Sequence, residues 1–243
     1  MKKFWGFLLV IVLMTSCGEY QSLLKSNDYN LVYKKAIEYY NKGDYQRAMN
    51  LLDGVRSVFV GQAKAQNIAY YRAFCSYNMK DYQIASDLFK QFIQTYPESS
   101  FAEECLYMMG FCDYKASPKP RLDQQVTEKA IREFQLYLSR YPYSMRKDKV
   151  NTYMDEMRDK LSYKAYLSAK NYYLREHYKA AVISLQNCLK DYPGSKYREE
   201  IMYMLFVSKY QMAVNSVEDK KVERYNNARE EYYYFADEYP NSR

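Results

Sequence analysis

The segment Asn41–Ala48 (NKGDYQRA) returns as Asn78–Ala85 (NMKDYQIA), and this internal repetition constrains the fold more than any other feature of the chain. Aligning the alanine that ends each copy yields five markers, Ala48, Ala85, Ala130, Ala181 and Ala228. Each is followed four residues later by a large side chain: Leu52, Phe89, Phe134, Leu185 and Tyr232. Twelve residues after the alanine comes Pro97, Pro142, Pro193 or Pro240, each preceded by tyrosine (Tyr96, Tyr141, Tyr192, Tyr239); the first copy has Val60 in that place. Proline cannot continue a helical hydrogen-bond ladder, so it marks the end of the second helix of each unit. Where no insertion intervenes, a small residue also stands twelve positions before the marker, at Ala36, Ala73 and Ala169, where it permits close approach of a first helix. Tyrosine occurs 31 times against 7 glycines and 6 prolines, a balance of aromatic bulk over turns that suits helices stacked on helices. The expected fold is all-α, a solenoid of about five helical hairpins.

The pattern resembles the tetratricopeptide repeat, a pair of antiparallel helices of about 34 residues. The markers are spaced by 37, 45, 51 and 47 residues, and the excesses describe the architecture. In the third unit the surplus falls at Ser117-Pro118-Lys119-Pro120 through Val126, where two prolines demand a loop. In the fifth, a polar insertion lies around Ser216 to Lys221. Between the third and fourth units the surplus is Arg146 to Leu161, rich in Lys, Asp, Glu and Met and free of Gly and Pro, which predicts one long helix over 147–175. The expected organisation is therefore residues 29–145 as repeats one to three, and 146–243 as a connecting helix with repeats four and five.

Residues 1–16 are a different material: Lys2 and Lys3 precede an apolar stretch from Phe4 to Met14, then Thr15, Ser16 and Cys17. This reads as a secretory signal peptide, since a spanning helix needs about 20 apolar residues. Cysteine directly after Leu13-Met14-Thr15-Ser16 resembles the lipobox of bacterial lipoproteins, which implies cleavage before Cys17, acylation of that residue (palmitate among the expected chains) and a lipidated linker over 17–28. Several acyl chains on one residue hold stably where a single chain holds marginally. Of the other cysteines, Cys75, Cys105, Cys112 and Cys188, none forms a CxxC pair and the only histidine is His177, so a zinc site is not expected. All four fall at apolar-periodic positions and read as small buried hydrophobes.

Five repeats behind a lipoprotein signal, with boundaries Tyr96-Pro97-Glu98-Ser99, Tyr141-Pro142-Tyr143-Ser144 and Tyr192-Pro193-Gly194-Ser195, resemble the BamD family of the outer-membrane β-barrel assembly machinery. The stretch Tyr107-Met108-Met109-Gly110, the blocks 130–142 and 181–193, and the long helix carry the resemblance across most of residues 29–243. It implies a lipid-anchored protein on the periplasmic face of the outer membrane. It further implies binding of unfolded barrel precursors at the amino-terminal repeats and of the periplasmic domains of the barrel-assembly subunit at the carboxy-terminal ones.

Repeat proteins bind along the concave surface made by their first helices. The shared register places Asn30, Tyr33, Ile37, Tyr40 and Asn41 there in the first unit, and Asn67, Tyr70, Phe74, Tyr77 and Asn78 in the second. The third contributes Glu104, Tyr107, Phe111, Tyr114 and Lys115, and two tyrosine rows continue through Tyr166 and Tyr173, then Tyr203 and Tyr210. Such tyrosines can pack between repeats, or they can line a groove that stacks on an aromatic-ended peptide and hydrogen-bonds its backbone. The groove expected for repeats one to three is Asn30, Tyr33, Tyr40, Asn67, Tyr70, Phe74, Tyr77, Tyr107, Phe111 and Tyr114. Catalysis is not expected: His177 replaces the turn aspartates Asp44 and Asp81, no glycine-rich phosphate loop exists, and Glu103-Glu104 and Glu199-Glu200 sit at helix starts where they favour the dipole. No cofactor beyond the covalent lipid is called for. The net charge of +7 is interspersed and reads as a solvated surface, and the signal peptide directs the chain away from nucleic acid. The competing readings are a division or envelope coordinator, which would carry a coiled coil ahead of fewer repeats, and a glycan-binding lipoprotein, which would carry long added loops. Neither feature is present in this sequence.

Overall fold

A computed structural model describes residues 18–242; the signal peptide expected over 1–16 and Cys17 lie outside the described residues. After a helical segment over 18–24 come α1 (Tyr29–Asn41), α2 (Tyr45–Val55), α3 (Ala63–Asn78), α4 (Tyr82–Thr95), α5 (Ala102–Ala116), α6 (Gln125–Arg140), α7 (Lys147–Leu174), α8 (Tyr178–Asp191), α9 (Arg198–Val214) and α10 (Glu218–Glu238). There is no strand among the described residues, and the fold is all-α, built from helical hairpins of the tetratricopeptide type. The chain divides into two compact units. One holds residues up to Ser117 together with Val126–Lys147; the other holds Pro118–Gln125 and everything from Asp148. The proline-rich loop thus belongs with the second unit, where the Lys164 ammonium donates to the Leu122 carbonyl at 2.8 Å.

The repeated turn sequences act through hydrogen bonds that can be named. At the tip of three hairpins the first helix ends on a residue in the left-handed region, Gly43 (φ 80°), Lys80 (φ 67°) and Glu176 (φ 61°). The next N–H reaches back across the last turn: Asp44 to Tyr39, Asp81 to Ser76 and His177 to Tyr172, each at 3.0 Å. This is the Schellman closure of a helix end. Only Gly43 adopts it without a Cβ penalty. Replacing Lys80 by glycine should therefore stabilise the protein by about 0.5–1 kcal/mol, read as a small rise in melting temperature. An equal or lower melting temperature would remove the strain assignment.

The Tyr-Pro-x-Ser boundary is a second recurring device. The Ser99, Ser144 and Ser195 hydroxyls each accept the N–H two residues on, from Phe101, Arg146 and Tyr197 at 3.2, 3.2 and 3.3 Å. Each serine thereby starts the next chain segment after proline has stopped the last one.

All five marker alanines are buried, four of them completely, and so are Ala36, Ala73 and Ala169. In the first unit the core runs from Tyr20 and Leu23 through Val32, Leu51, Leu52, Val55, Phe59 and Ile68, with Phe89, Phe92, Phe134 and Tyr137 beyond. In the second it gathers Tyr166, Ala169, Ala181, Leu185, Cys188, Ile201, Met204 and Leu205. Each fully buried aromatic or leucine contributes about 1.5–3 kcal/mol of transfer free energy. Among the described residues Cys75, Cys105, Cys112 and Cys188 are buried free thiols; burial pushes Cys75 and Cys105 up to about 12 and Cys188 up to about 11.

One expectation is corrected, and two positions are added to the repeat pattern. Among the large residues that follow the marker alanines, Tyr232 is 45% exposed, and Phe235 takes the buried position. The insertion expected around Ser216 to Lys221 is mostly helix: only residues 215–217 lie outside α9 and α10, because Glu218 and Asp219 in the first turn of α10 suit its dipole. The third repeat's small residue, obscured by the inserted loop, is Gly110, which lies 37 residues after Ala73. A Cβ added there would meet the Phe134 ring at 2.9 Å, so α5 and α6 touch closer than any side chain allows.

Candidate functional site

Helices α1 and α3 of the first unit present their register faces side by side and enclose an open groove of about 590 Å³. Asn30, Tyr33, Ile37 and Asn41 line it from α1, and Lys64, Asn67, Tyr70 and Tyr71 from α3, with Phe101 at one end. Four of the ten groove residues expected from sequence, Asn30, Tyr33, Asn67 and Tyr70, thus meet in one concavity. The others continue as a ribbon of rings: Phe74 lies 4.6 Å from Tyr70 and 6.4 Å from Tyr77, and Tyr77 lies 6.2 Å from Phe111. Phe111 in turn stacks on Tyr114 at 5.9 Å. Tyr40 makes edge contacts with Tyr45 and Tyr71 at 5.5 and 4.9 Å.

The first tyrosine row is engaged on two sides. Its hydroxyls bond to the next repeat: Asn67 hydrogen-bonds Tyr33, and Tyr70 donates to Glu104 at 2.8 Å. Tyr166 likewise donates to Glu200 at 2.5 Å. Its ring faces are covered as well: the Lys64 ammonium lies 5.7 Å from the Tyr33 ring, Phe101 lies 4.6 Å from Tyr70, and Tyr197 stacks on Tyr166 at 4.3 Å. The Arg146 guanidinium covers Tyr107 at 4.9 Å, and Tyr107 is only 7% exposed. Tyr107 is accordingly a core side chain that offers little groove surface, a correction to its expected place. Burial raises the Tyr33 and Tyr70 hydroxyls above the ordinary phenol value, reinforced at Tyr70 by the Glu104 carboxylate; Tyr40 is pushed up to about 12. All three remain protonated across the physiological range.

Sequence reasoning missed Lys64 and Phe101. They occupy one register position, three residues ahead of Asn67 and Glu104, so extending the face by one turn would have found them. Lys64 brings charge to the groove: its ammonium donates to the Asn30 amide oxygen at 2.6 Å, not to a carboxylate. On the other wall Glu38 pairs with Lys35 at 3.1 Å, which holds its carboxyl below the usual range. The site can therefore hydrogen-bond a peptide backbone through the Asn30, Asn41 and Asn67 amides and accept apolar side chains against Tyr33, Ile37 and Phe101.

In the second unit Tyr203 and Tyr210 are exposed, Tyr173 is half-buried, and His177 is an exposed cap of α8. The acidic pairs do more than favour helix dipoles. Glu103 accepts from Tyr137 and Ser144 at 3.0 and 2.7 Å, and Glu200 accepts from Lys170 at 2.6 Å. Among the described residues no cluster of His, Cys, Asp and Glu could hold a metal ion, and no helix is long and apolar enough to cross a membrane.

A family model described as YfiO, outer membrane lipoprotein, matches residues 25–200. No curated protein matches the chain. Among solved structures, the TPR2AB-domain:pHSP90 complex of yeast Sti1 is similar at 13% identity and TM-score 0.43, over 84% of this chain and 77% of that one. MamA of AMB-1 is similar at 13% identity and TM-score 0.35, over 83% and 90%. The human IFIT1 dimer with PPP-AAAA follows at 16% identity and TM-score 0.28, over 93% and 58%.

Proposed function

The chain belongs to the YfiO family of outer membrane lipoproteins, and from that premise we propose that it is a non-catalytic scaffold of outer-membrane β-barrel assembly, anchored on the periplasmic face by lipid on Cys17. In this reading the first unit receives extended segments of unfolded barrel precursors, and the second engages the periplasmic domains of the barrel-assembly subunit. The observation that carries it is the α1/α3 groove, with amide groups along its length and apolar rings between them. An extended strand has backbone groups to satisfy and alternate side chains to bury, and this lining answers both needs.

The groove is tested without touching the rings, because Tyr70 and Phe74 also hold the fold. Replacing Asn30, Asn41 and Asn67 together by alanine should weaken binding of a fluorescent aromatic-ended peptide by at least about tenfold, the loss of one to two net hydrogen bonds, in a protein that stays helical and melts somewhat lower because Asn67 also bonds Tyr33 and Asn30 also accepts from Lys64; Asn41→Ala alone should weaken binding with the melting temperature unchanged. Equal affinity would discard the groove. A pull-down from detergent-solubilised envelopes should recover a barrel-assembly subunit in stoichiometric amount; recovery of peptidoglycan-linked division proteins without it would favour the envelope-coordinator reading. The anchor makes a separate prediction: Cys17→Ser should abolish incorporation of labelled palmitate and move the protein from the membrane to the soluble fraction. Continued membrane association without label would count against lipidation at Cys17.

A further inference from the structure

The boundary turn after α6 differs from its counterparts in what it displays. Between proline and serine, and again just after serine, the turns after α4 and α8 carry Glu98 and Ser100, and Gly194 and Lys196, and the fourth Tyr-Pro-x-Ser of the sequence carries Asn241 and Arg243. Here those positions are Tyr143 and Met145, 97% and 102% exposed. Since the same turn closes elsewhere with a carboxylate, a hydroxyl, a glycine and an ammonium, its geometry has no need of two large apolar side chains.

The turn is also rigidly held. The Ser144 hydroxyl donates to Glu103 at 2.7 Å, shares a hydrogen bond with Tyr137 at 2.5 Å and accepts the Arg146 N–H. Arg140 donates to the Pro97 carbonyl at 3.0 Å. Tyr143 and Met145 thus project from a backbone fixed in advance, so little conformational freedom remains to be lost on binding. Arg140, Arg146 and Lys147 lie within three residues of them along the chain, Arg140 donating to the Pro97 carbonyl and Arg146 lying over Tyr107 and pairing with Glu104 at 3.8 Å. Tyrosine, methionine and arginine are the residue types that binding surfaces concentrate.

We propose that Tyr143 and Met145 form an anchor that seats in an apolar pocket rimmed by carboxylates on a folded protein partner. This contact is distinct from the peptide groove and does not depend on it. A lipid surface is the weaker occupant: the two side chains together carry fewer carbons than one myristoyl chain, which itself holds a membrane only marginally. Buried in a protein pocket, by contrast, each would act as a hot spot whose truncation weakens binding about 30-fold.

The test uses the full-length protein in cells, with a photo-crosslinking amino acid at position 143 and a control at position 98 of the homologous turn. The expected result is a protein adduct specific to position 143, whose crosslinked peptide combines apolar residues with Asp or Glu and which disappears when Arg140→Glu and Lys147→Glu are added. With the partner so identified and purified, Tyr143→Glu/Met145→Lys should lower its affinity at least about 30-fold. Those side chains are ones the homologous turns already carry, so folding is preserved. Adducts on phospholipid or on a second copy of the chain, equal labelling at position 98, no adduct, or unchanged affinity would each overturn the proposal.

Discussion

Gly110→Val should destabilise the first unit by about 3 kcal/mol, the upper end of what overpacking a core costs. The added Cβ would lie 2.9 and 3.0 Å from Phe134 Cδ1 and Cε1, and the ring has nowhere to go: it is fully buried, with Tyr107 6.3 Å away on one side. Valine also forfeits the helix propensity that alanine would add, so no local gain offsets the clash. Phe134→Ala should cost about 3–5 kcal/mol by leaving a cavity. The informative experiment is the double variant. If close approach of α5 and α6 is what glycine provides, Gly110→Val/Phe134→Ala should cost well under the sum of the two, because the new side chain occupies part of the hole. Urea titrations of the three variants give the coupling, and strict additivity would show that the helices do not depend on this contact.

Glu133 sets the second large effect, through pH. It is 8% exposed, with one carboxylate oxygen lacking any hydrogen-bond partner, and it lies among charges from three helices. Lys129 on its own helix reaches Asp113 of α5 at 2.8 Å, Glu133 at 3.7 Å and Asp87 of α4 at 3.9 Å. Ser86 of α4 donates to Asp113 at 3.1 Å. Burial, and then the neighbouring Asp113, push the Glu133 carboxyl up to about 8. The folded chain therefore holds a proton that the unfolded chain releases near 4.5. This group's contribution to stability is fully present below about 4.5 and is lost as pH rises through about 8. Glu133→Gln removes the titration while keeping shape and hydrogen bonding. At pH 5 the variant and the natural protein should melt close together; by pH 8 the variant should be ahead by about 1–3 kcal/mol, the range of an unpaired buried polar group. Parallel melting curves across that interval would mean that Lys129 already neutralises Glu133 in the folded state.

The architecture was legible because its signals are local. Marker alanines, the Tyr-Pro-x-Ser boundary and the composition of Arg146 to Leu161 each dictate a backbone outcome within a few residues, and α7 runs to within one residue of its expected end. Gly110 escaped notice because the inserted loop breaks the twelve-residue offset by which the other small residues were found. The polarity of the stretch after Ser216 points to a loop, whereas Glu218 and Asp219 in the first turn of α10 favour its dipole, a weaker signal that polarity masks. The site was legible in register but not in depth. Spacing says that Tyr33, Tyr70 and Tyr107 share a face. It does not say that Lys64, Phe101 and Arg146, each from the segment that follows, cover those rings.

The bonds between successive first helices also define what can be exchanged between proteins of this architecture. Tyr33 pairs with Asn67, and Tyr70 with Glu104. A splice made at a hairpin boundary separates a donor from its acceptor and strands both in the new protein. A splice inside α3 just past Asn67, and another inside α5 just past Glu104, leaves both pairs whole. The transplantable cassette of this chain is therefore residues 68–104, which begins and ends mid-helix and whose Glu103 needs a tyrosine and a serine in the segment that follows, as Tyr137 and Ser144 supply here; chimeras that meet both conditions should tolerate insertion or deletion of a repeat that chimeras joined at the turns do not.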